Sequence, residues 1–456
     1  MQRVIAVFDI GKTNKKLLLF DEKFSIVFQQ EQKFPVITDE DGFDCDDIGL
    51  IVSWIKGELS RLTETGDYEV TAVNFSTYGA SLIFLDEKGE RLTPLYNYLK
   101  PVSPAIAEDL FRKYGGKNEF CRQTASPALG LLLNSGIQIL WMLREKPLVM
   151  DKTRSILHLP QYLSYVLTGK VVSEPTSVGC HTFMWNFDKM DYHRWMADNG
   201  IELPAPVTND VVYDTFIQGK KLKVGTGIHD SSASLVPYLK GSEEKFILVS
   251  TGTWCINMNP FNEEPLTAYQ LEQDCLCFLS PDKRQVKSSR LFMGHFHEVW
   301  ADRLAARFNT DRSWFKQVRY DARMIEKINL QFRNKSVFFP GGKASFEQDK
   351  DLVDLAIFES YEEAYTKLMA DLTCLCAQSV RLVIPERDET RCLYISGGFA
   401  RNELFIRLLQ EYFPEKEVYT SEVDNSSALG AALAVTGALE NAVKAYPDLG
   451  LKKWSL

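Results

Sequence analysis

Val4-Ile5-Ala6-Val7-Phe8-Asp9-Ile10-Gly11-Lys12-Thr13-Asn14-Lys15-Lys16-Leu17-Leu18-Leu19-Phe20 opens the chain with two apolar runs around a glycine turn. Residues 4–8 and 17–20 read as strands, and residues 25–28 as a third, so the chain begins as a β-meander. Ile48, Ile51, Val52, Ile55, Leu59 and Leu62 then recur at helical spacing, with acidic residues from Asp46 at the start and Gly66 beyond the end. Residues 70–75 and 82–85 read as strands again. The same order returns later: a strand at 246–249, a turn at Gly252, a strand at 254–258, a long helix over 360–383 and a strand at 392–395. An α/β module with the same opening thus occurs twice. The polar stretch 239–245 marks the boundary, giving domains over 1–240 and 241–456.

Length agrees with two domains. A chain of 456 residues exceeds the roughly 250–300 at which single cores stop growing. Hydrophobic residues at 45% and charged residues at 25% describe a globular protein and set disorder aside. The formal net charge of −9 disfavours nucleic acid and anionic membrane surfaces as partners. The N-terminal apolar run is too short for a signal peptide, and no apolar stretch of about 20 residues follows, so the expected location is the cytoplasm. Nine scattered cysteines, with Cys275/Cys277 and Cys374/Cys376 one residue apart, read as reduced core thiols.

Three loops have the composition of phosphate or nucleotide cradles. In the first, Gly11 lets backbone N–H groups approach an anion, Thr13 offers a hydroxyl, Lys12, Lys15 or Lys16 can supply charge, and Asp9 could hold hydrated Mg²⁺. The second, Ser250-Thr251-Gly252-Thr253-Trp254, repeats the glycine flanked by hydroxyls. In the third, Ser396-Gly397-Gly398-Phe399-Ala400-Arg401-Asn402, paired glycines end a strand where a base or ribose would lie close, and a helix follows over residues 403–412. Each could also be an ordinary turn. Walker-type and dinucleotide-binding glycine motifs are absent.

Gly227-Ile228-His229-Asp230-Ser231 places a carboxylate just before the boundary, after a glycine-flanked strand. Asp230 is of the residue type that receives a hydroxyl proton in phosphoryl transfer. Its alternative reading is a helix N-cap.

Taken in order, Asp9-x-Gly11-x-Thr13-x-x-Lys16, Gly227-x-x-Asp230, Ser250-Thr251-Gly252-Thr253, Gly397-Gly398-x-Ala400-x-Asn402 and Ala428-Leu429-Gly430-Ala431-Ala432 resemble the FGGY carbohydrate kinases. The resemblance implies two actin-like, ribonuclease-H-like α/β domains with the catalytic cleft between them, sugar held mainly by the first and ATP mainly by the second. It implies Asp230 as the catalytic base, Asp9 near Mg²⁺, and Gly11, Lys12, Thr13, Asn14, Lys16, Thr251, Gly252, Thr253, Gly397, Gly398 and Asn402 around the nucleotide. Thr77, Tyr78, Gly79, Ala80 and His229 would border the sugar. His229 before Asp230 is most similar to the rhamnulose and fuculose kinase branch, so the expected acceptor is a small ketose such as a 6-deoxy-ketohexose. Xylulose, ribulose or another polyol is the alternative, and an actin-fold ATPase without a sugar a further one. Pro94-Leu95-Tyr96-Asn97-Tyr98 departs from the aspartate and arginine with which many members grip sugar hydroxyls, and Gln161 replaces a frequent aspartate. The helix from Ser360 and the C-terminal tail leave room for a homodimer.

Overall fold

The computed structural model describes residues 1–333, 335–340, 353–438 and 447–455. Part of the tail considered for dimerisation, residues 439–446, lies outside them.

Two seven-stranded mixed sheets organise the chain. β1 (Gln2–Ile10), β2 (Lys15–Phe20) and β3 (Ile26–Gln32) form the expected antiparallel meander. β4 (Tyr68–Thr77) lies parallel to β1 on its other side. β5 (Val212–Ile217) and β6 (Lys220–Gly225) form a hairpin whose second strand runs parallel to β4, and β7 (Ile228–His229) pairs with the last residues of β4. The second sheet repeats the plan. β8 (Phe246–Thr251) and β9 (Cys255–Asn259) are its opening hairpin, and β10 (Cys275–Leu279) and β11 (Gln285–Leu291) extend it beyond β9. β12 (Cys392–Gly397) is parallel to β8, as β4 is to β1, and β13 (Glu417–Thr420) and β14 (Lys452–Trp454) complete the edge.

β1 reads as a continuous apolar run because both its faces are covered. Val4, Ala6, Phe8 and Ile10 pack with Ile48, Ile51, Ile55, Leu59 and Leu62 of α1 (Ile48–Thr65). Asp47, rather than Asp46, caps that helix, accepting from the Gly49 and Leu50 amides. Ile5 and Val7 face the other way, toward Ala428, Ala431, Ala432 and Val435.

Those alanines belong to a helix from the far end of the chain. α2 (Asp230–Ala233) and α3 (Val236–Gly241) lead from the first sheet to the second. α3 takes in residues 239–241 at the start of the polar stretch read as a boundary. α4 (Met293–Phe308), α5 (Tyr361–Arg381) and α6 (Glu403–Tyr412) pack on the second sheet. α7 (Ser426–Val435) then returns to the first sheet and crosses α2 so closely that a Cβ on Gly430 would come within 1.9 Å of the Ala233 carbonyl oxygen. Asn74 of β4, fully buried, fixes this crossing by donating to the Ala431 carbonyl at 2.8 Å and accepting from the Gly227 amide at 3.0 Å.

The strand expected over 82–85 exists but pairs with Ser155–His158 in a small separate sheet. Cys275 and Cys277 are fully buried in the second core, as their reading as core thiols requires.

Candidate active site

Both opening hairpins turn at the ends of the parallel-paired strands, and both turns are tight: the Gly11 amide donates to Asn14 O at 2.9 Å, and the Gly252 amide to Trp254 O at 3.0 Å. Their side chains differ in kind.

Around the first loop, Asp9 accepts from Ser427 Oγ at 3.3 Å. Lys16 donates to Asn425 Oδ1 at 3.2 Å. The start of α7, from the opposite end of the sequence, therefore meets the first loop directly. Burial raises the Asp9 carboxyl to about 6, and the charge of Asp230 adds to the rise, against the opposing effects of Ser76, Lys16 and Ser427. Asp9 and Asp230 thus share one electrostatic environment, a pairing invisible in two motifs more than two hundred residues apart.

Asp230 stands at the first residue of α2 and does not cap that helix; His229 occupies the cap position. One carboxylate oxygen, Oδ1, accepts from the Ser231 amide at 2.6 Å and the Ser231 hydroxyl at 3.2 Å, and lies 3.3 Å from His229 Nε2. Among the described residues the other oxygen, Oδ2, has no partner, and the side chain is one-third exposed. One oxygen is locked and one is open.

His229 is buried, and burial by itself would lower its pKa. Cys180, Asp230 and Glu174 outweigh that and raise it, while His181 and His229 depress the Cys180 thiol against its burial. The His229 ring packs over Gly79, where a Cβ would come 2.8 Å from Cδ2 and Nε2. Gly79 therefore makes room for the histidine. Thr77 spends its hydroxyl on the Tyr78 carbonyl, 2.9 Å away, and Ala80 takes φ 65° with its carbonyl accepting from Gln138. These residues back the site. Gln161, fully buried, donates to the Thr226 and Gly227 carbonyls at 3.2 and 3.1 Å and so supports the turn into His229.

Lys12, from the first loop, pairs with a carboxylate outside that loop. Its Nζ lies 2.7 Å from Asp46 Oδ2, beside Lys15 Nζ at 2.8 Å from Oδ1 and the Tyr78 hydroxyl at 2.9 Å from Oδ2. Asp46, which reads in the sequence as a helix start, is a buried anchor that these lysines hold below the usual carboxylate range despite its burial.

At the second loop the chemistry is uncharged. Thr251 is buried, donating to the Ser396 carbonyl at 2.5 Å and accepting from the Phe399 amide at 3.0 Å, which ties the loop to the paired glycines. The two glycines divide their roles. At Gly397 (φ 83°) a Cβ would fall 1.8 Å from Thr251 O, whereas at Gly398 it would meet nothing within 4 Å. Gly398 opens onto a cavity of about 790 Å³ bordered by Gly252, Thr253, His297, Phe315, Phe399 and Asn402, a volume suited to a nucleoside. The Asn402 side chain itself caps α6, accepting from the Phe405 amide, and donates to Tyr365. His297, Phe315 and Gly294 of this wall were not singled out in the sequence, since nothing in their local pattern distinguishes them from core residues.

The uncrowded backbone at Gly398 and the glycine turn at Gly252 fit a nucleotide. Asp9, a buried carboxyl raised by burial and by a second carboxylate, fits a neighbouring divalent cation, which would relieve that repulsion.

Comparisons with known proteins agree with this architecture. Residues 4–211 match the N-terminal domain of the FGGY family of carbohydrate kinases, and residues 243–444 match the carbohydrate kinase FGGY C-terminal domain. The chain belongs to the FGGY family and is a carbohydrate kinase. It is 21% identical to a rhamnulokinase of Halalkalibacterium halodurans, over 93% of this chain and 91% of that protein. A rhamnulokinase of Bacillus subtilis is also 21% identical, over 96% and 91%. Among solved structures, a carbohydrate kinase from Novosphingobium aromaticivorans superposes with a TM-score of 0.80 at 23% identity, covering 99% of this chain and 94% of the other.

Proposed function

We propose that the protein transfers the γ-phosphoryl group of ATP to a hydroxyl of a small ketose, and that the acceptor is a 6-deoxy-ketohexose such as L-rhamnulose or L-fuculose. The observation that carries this reading is the half-locked carboxylate of Asp230, beside Asp9 and His229 at the end of the first sheet. The similarity to rhamnulokinases supports the acceptor.

Phosphoryl transfer asks for alignment, neutralised charge and a late proton acceptor. Asp230 Oδ2 accepts the proton of the acceptor hydroxyl, while Ser231 and His229 flank Oδ1 and keep the carboxylate oriented. Gly252, Thr253 and Gly398 line the nucleotide side in the second domain, and residues 1–240 supply the acceptor side. Lys16 and the N-terminus of α7, facing Asp9, favour negative charge between them. Mg²⁺, held near Asp9, would neutralise phosphate charge when bound. The reaction belongs in the cytoplasm, where the nine free thiols stay reduced.

A coupled ADP-release assay over a panel of ketoses and polyols tests the proposal. ADP release that depends on a 6-deoxy-ketohexose supports it. A preference for another acceptor changes the substrate, and ATP hydrolysis indifferent to every sugar overturns it.

A further inference from the structure

Lys12 sits in a loop whose composition suggests phosphate binding, yet its ammonium lies on the acceptor side. Asp46 fixes it there at 2.7 Å, and it stands over the faces of Tyr78 and Tyr98, 5.4 and 5.7 Å from their ring centres. Tyr78 and Tyr98 meet edge to face at 5.8 Å. The two lysines on Asp46 differ sharply in exposure: Lys15 is 3% exposed and also donates to the Lys12 carbonyl at 3.0 Å, whereas Lys12 is 31% exposed. An ammonium has three N–H donors, and Asp46 takes one of Lys12's. Asp46 itself accepts from Lys12, Lys15 and Tyr78, so both its oxygens are engaged.

Tyr78, against which Tyr98 packs, connects this group to the reacting centre, because the next residue, Gly79, lies under the His229 ring, and that ring stands 3.3 Å from Asp230; burial and the charges of Asp230 and Asp46 raise the Tyr98 phenol. Neighbouring Asn97 is buried and tied to the backbone: its amide donates to the Asp44 carbonyl at 2.9 Å and its oxygen accepts from the Leu99 amide at 3.0 Å. In the segment where the sugar-gripping aspartate and arginine are missing, Asn97 holds the loop and half-buried Tyr98 stands against Lys12 and Tyr78.

We propose that Lys12 and Tyr98 form the acceptor-recognising wall of this enzyme, donating to hydroxyl oxygens of a neutral polyhydroxylated substrate whose reacting hydroxyl lies at Asp230. The inference rests on the carbohydrate kinase reading and names the side chains that select the acceptor. Asp46, held by Lys15 and Tyr78, is a positioning residue that aims Lys12.

The test separates acceptor from nucleotide. Lys12→Met, Lys12→Arg and Tyr98→Phe are compared with the wild type for KM of the best acceptor, for KM of ATP, and for calorimetric binding of acceptor without ATP. Lys12→Met is expected to raise the acceptor KM and Kd about 10- to 100-fold, the effect of losing a charge-assisted hydrogen bond, while the ATP KM moves less than about threefold. Lys12→Arg recovers part of the loss, and Tyr98→Phe, which removes one oxygen and keeps the ring, costs about 3- to 10-fold on the acceptor alone. If Lys12→Met does not fold, Tyr98→Phe decides. A rise confined to the ATP KM, or unchanged acceptor binding in both variants, overturns the assignment while leaving the kinase reading intact. Acceptor-independent ADP release by the wild type overturns both.

Discussion

The hairpin loops of residues 9–16 and 250–254 occupy equivalent places in two sheets of one plan, and almost nothing else about them is alike. The first is charged: Asp9, Lys12 and Lys16 are held by Ser427, Asp46 and Asn425. The second is built from glycines and hydroxyls, with Thr251 spent on the backbone of the neighbouring turn. Both sheets keep one scaffold, because strand pairing and buried faces constrain every residue of a central strand. The loops escape that constraint, so one came to manage charge and the other to present bare backbone to a ligand.

Substitutions can break this division of labour. The largest effect is expected at Asp230→Asn, which should lower kcat by at least about two orders of magnitude while ATP binding, read by calorimetry, persists. A fully active variant would remove Asp230 as the base. In the second domain, Gly397→Ala should cost about 2–4 kcal/mol in denaturant unfolding, from a left-handed backbone and the overlap with Thr251 O.

Asp9→Asn should divide stability from activity. The fold raises the Asp9 pKa from 3.8 to about 6, so the native state binds the proton more tightly than the unfolded chain does. Asp9 therefore costs stability as pH rises from about 4 to 6, and the cost, up to about 3 kcal/mol, persists at neutral pH. The variant should lose activity yet melt a few degrees higher at pH 7, with the difference vanishing near pH 4. An equal or lower Tm at pH 7 would contradict the burial argument. The smallest effect belongs to Gly398→Ala, where open space should leave Tm unchanged and raise the ATP KM a few-fold; a marked loss of stability there would erase the contrast with Gly397.

The sequence by itself determined the opening strands of both sheets, the turns at Gly11 and Gly252, the helix that begins after Ser360, and the aspartate after a histidine. Each is written in a local period or in the composition of a few adjacent residues, which the chain obeys wherever it lies. Tertiary structure alone decided that α7 covers β1, that Asn425 meets Lys16 across 409 positions of sequence, and that Asp46 turns Lys12 toward Tyr98. A hydrophobic period states that a face must be buried but not by which helix, and a lysine carries its charge without its partner. Partners are fixed only when distant segments compete for the same buried surface and the same carboxylate, and that competition has no local signature.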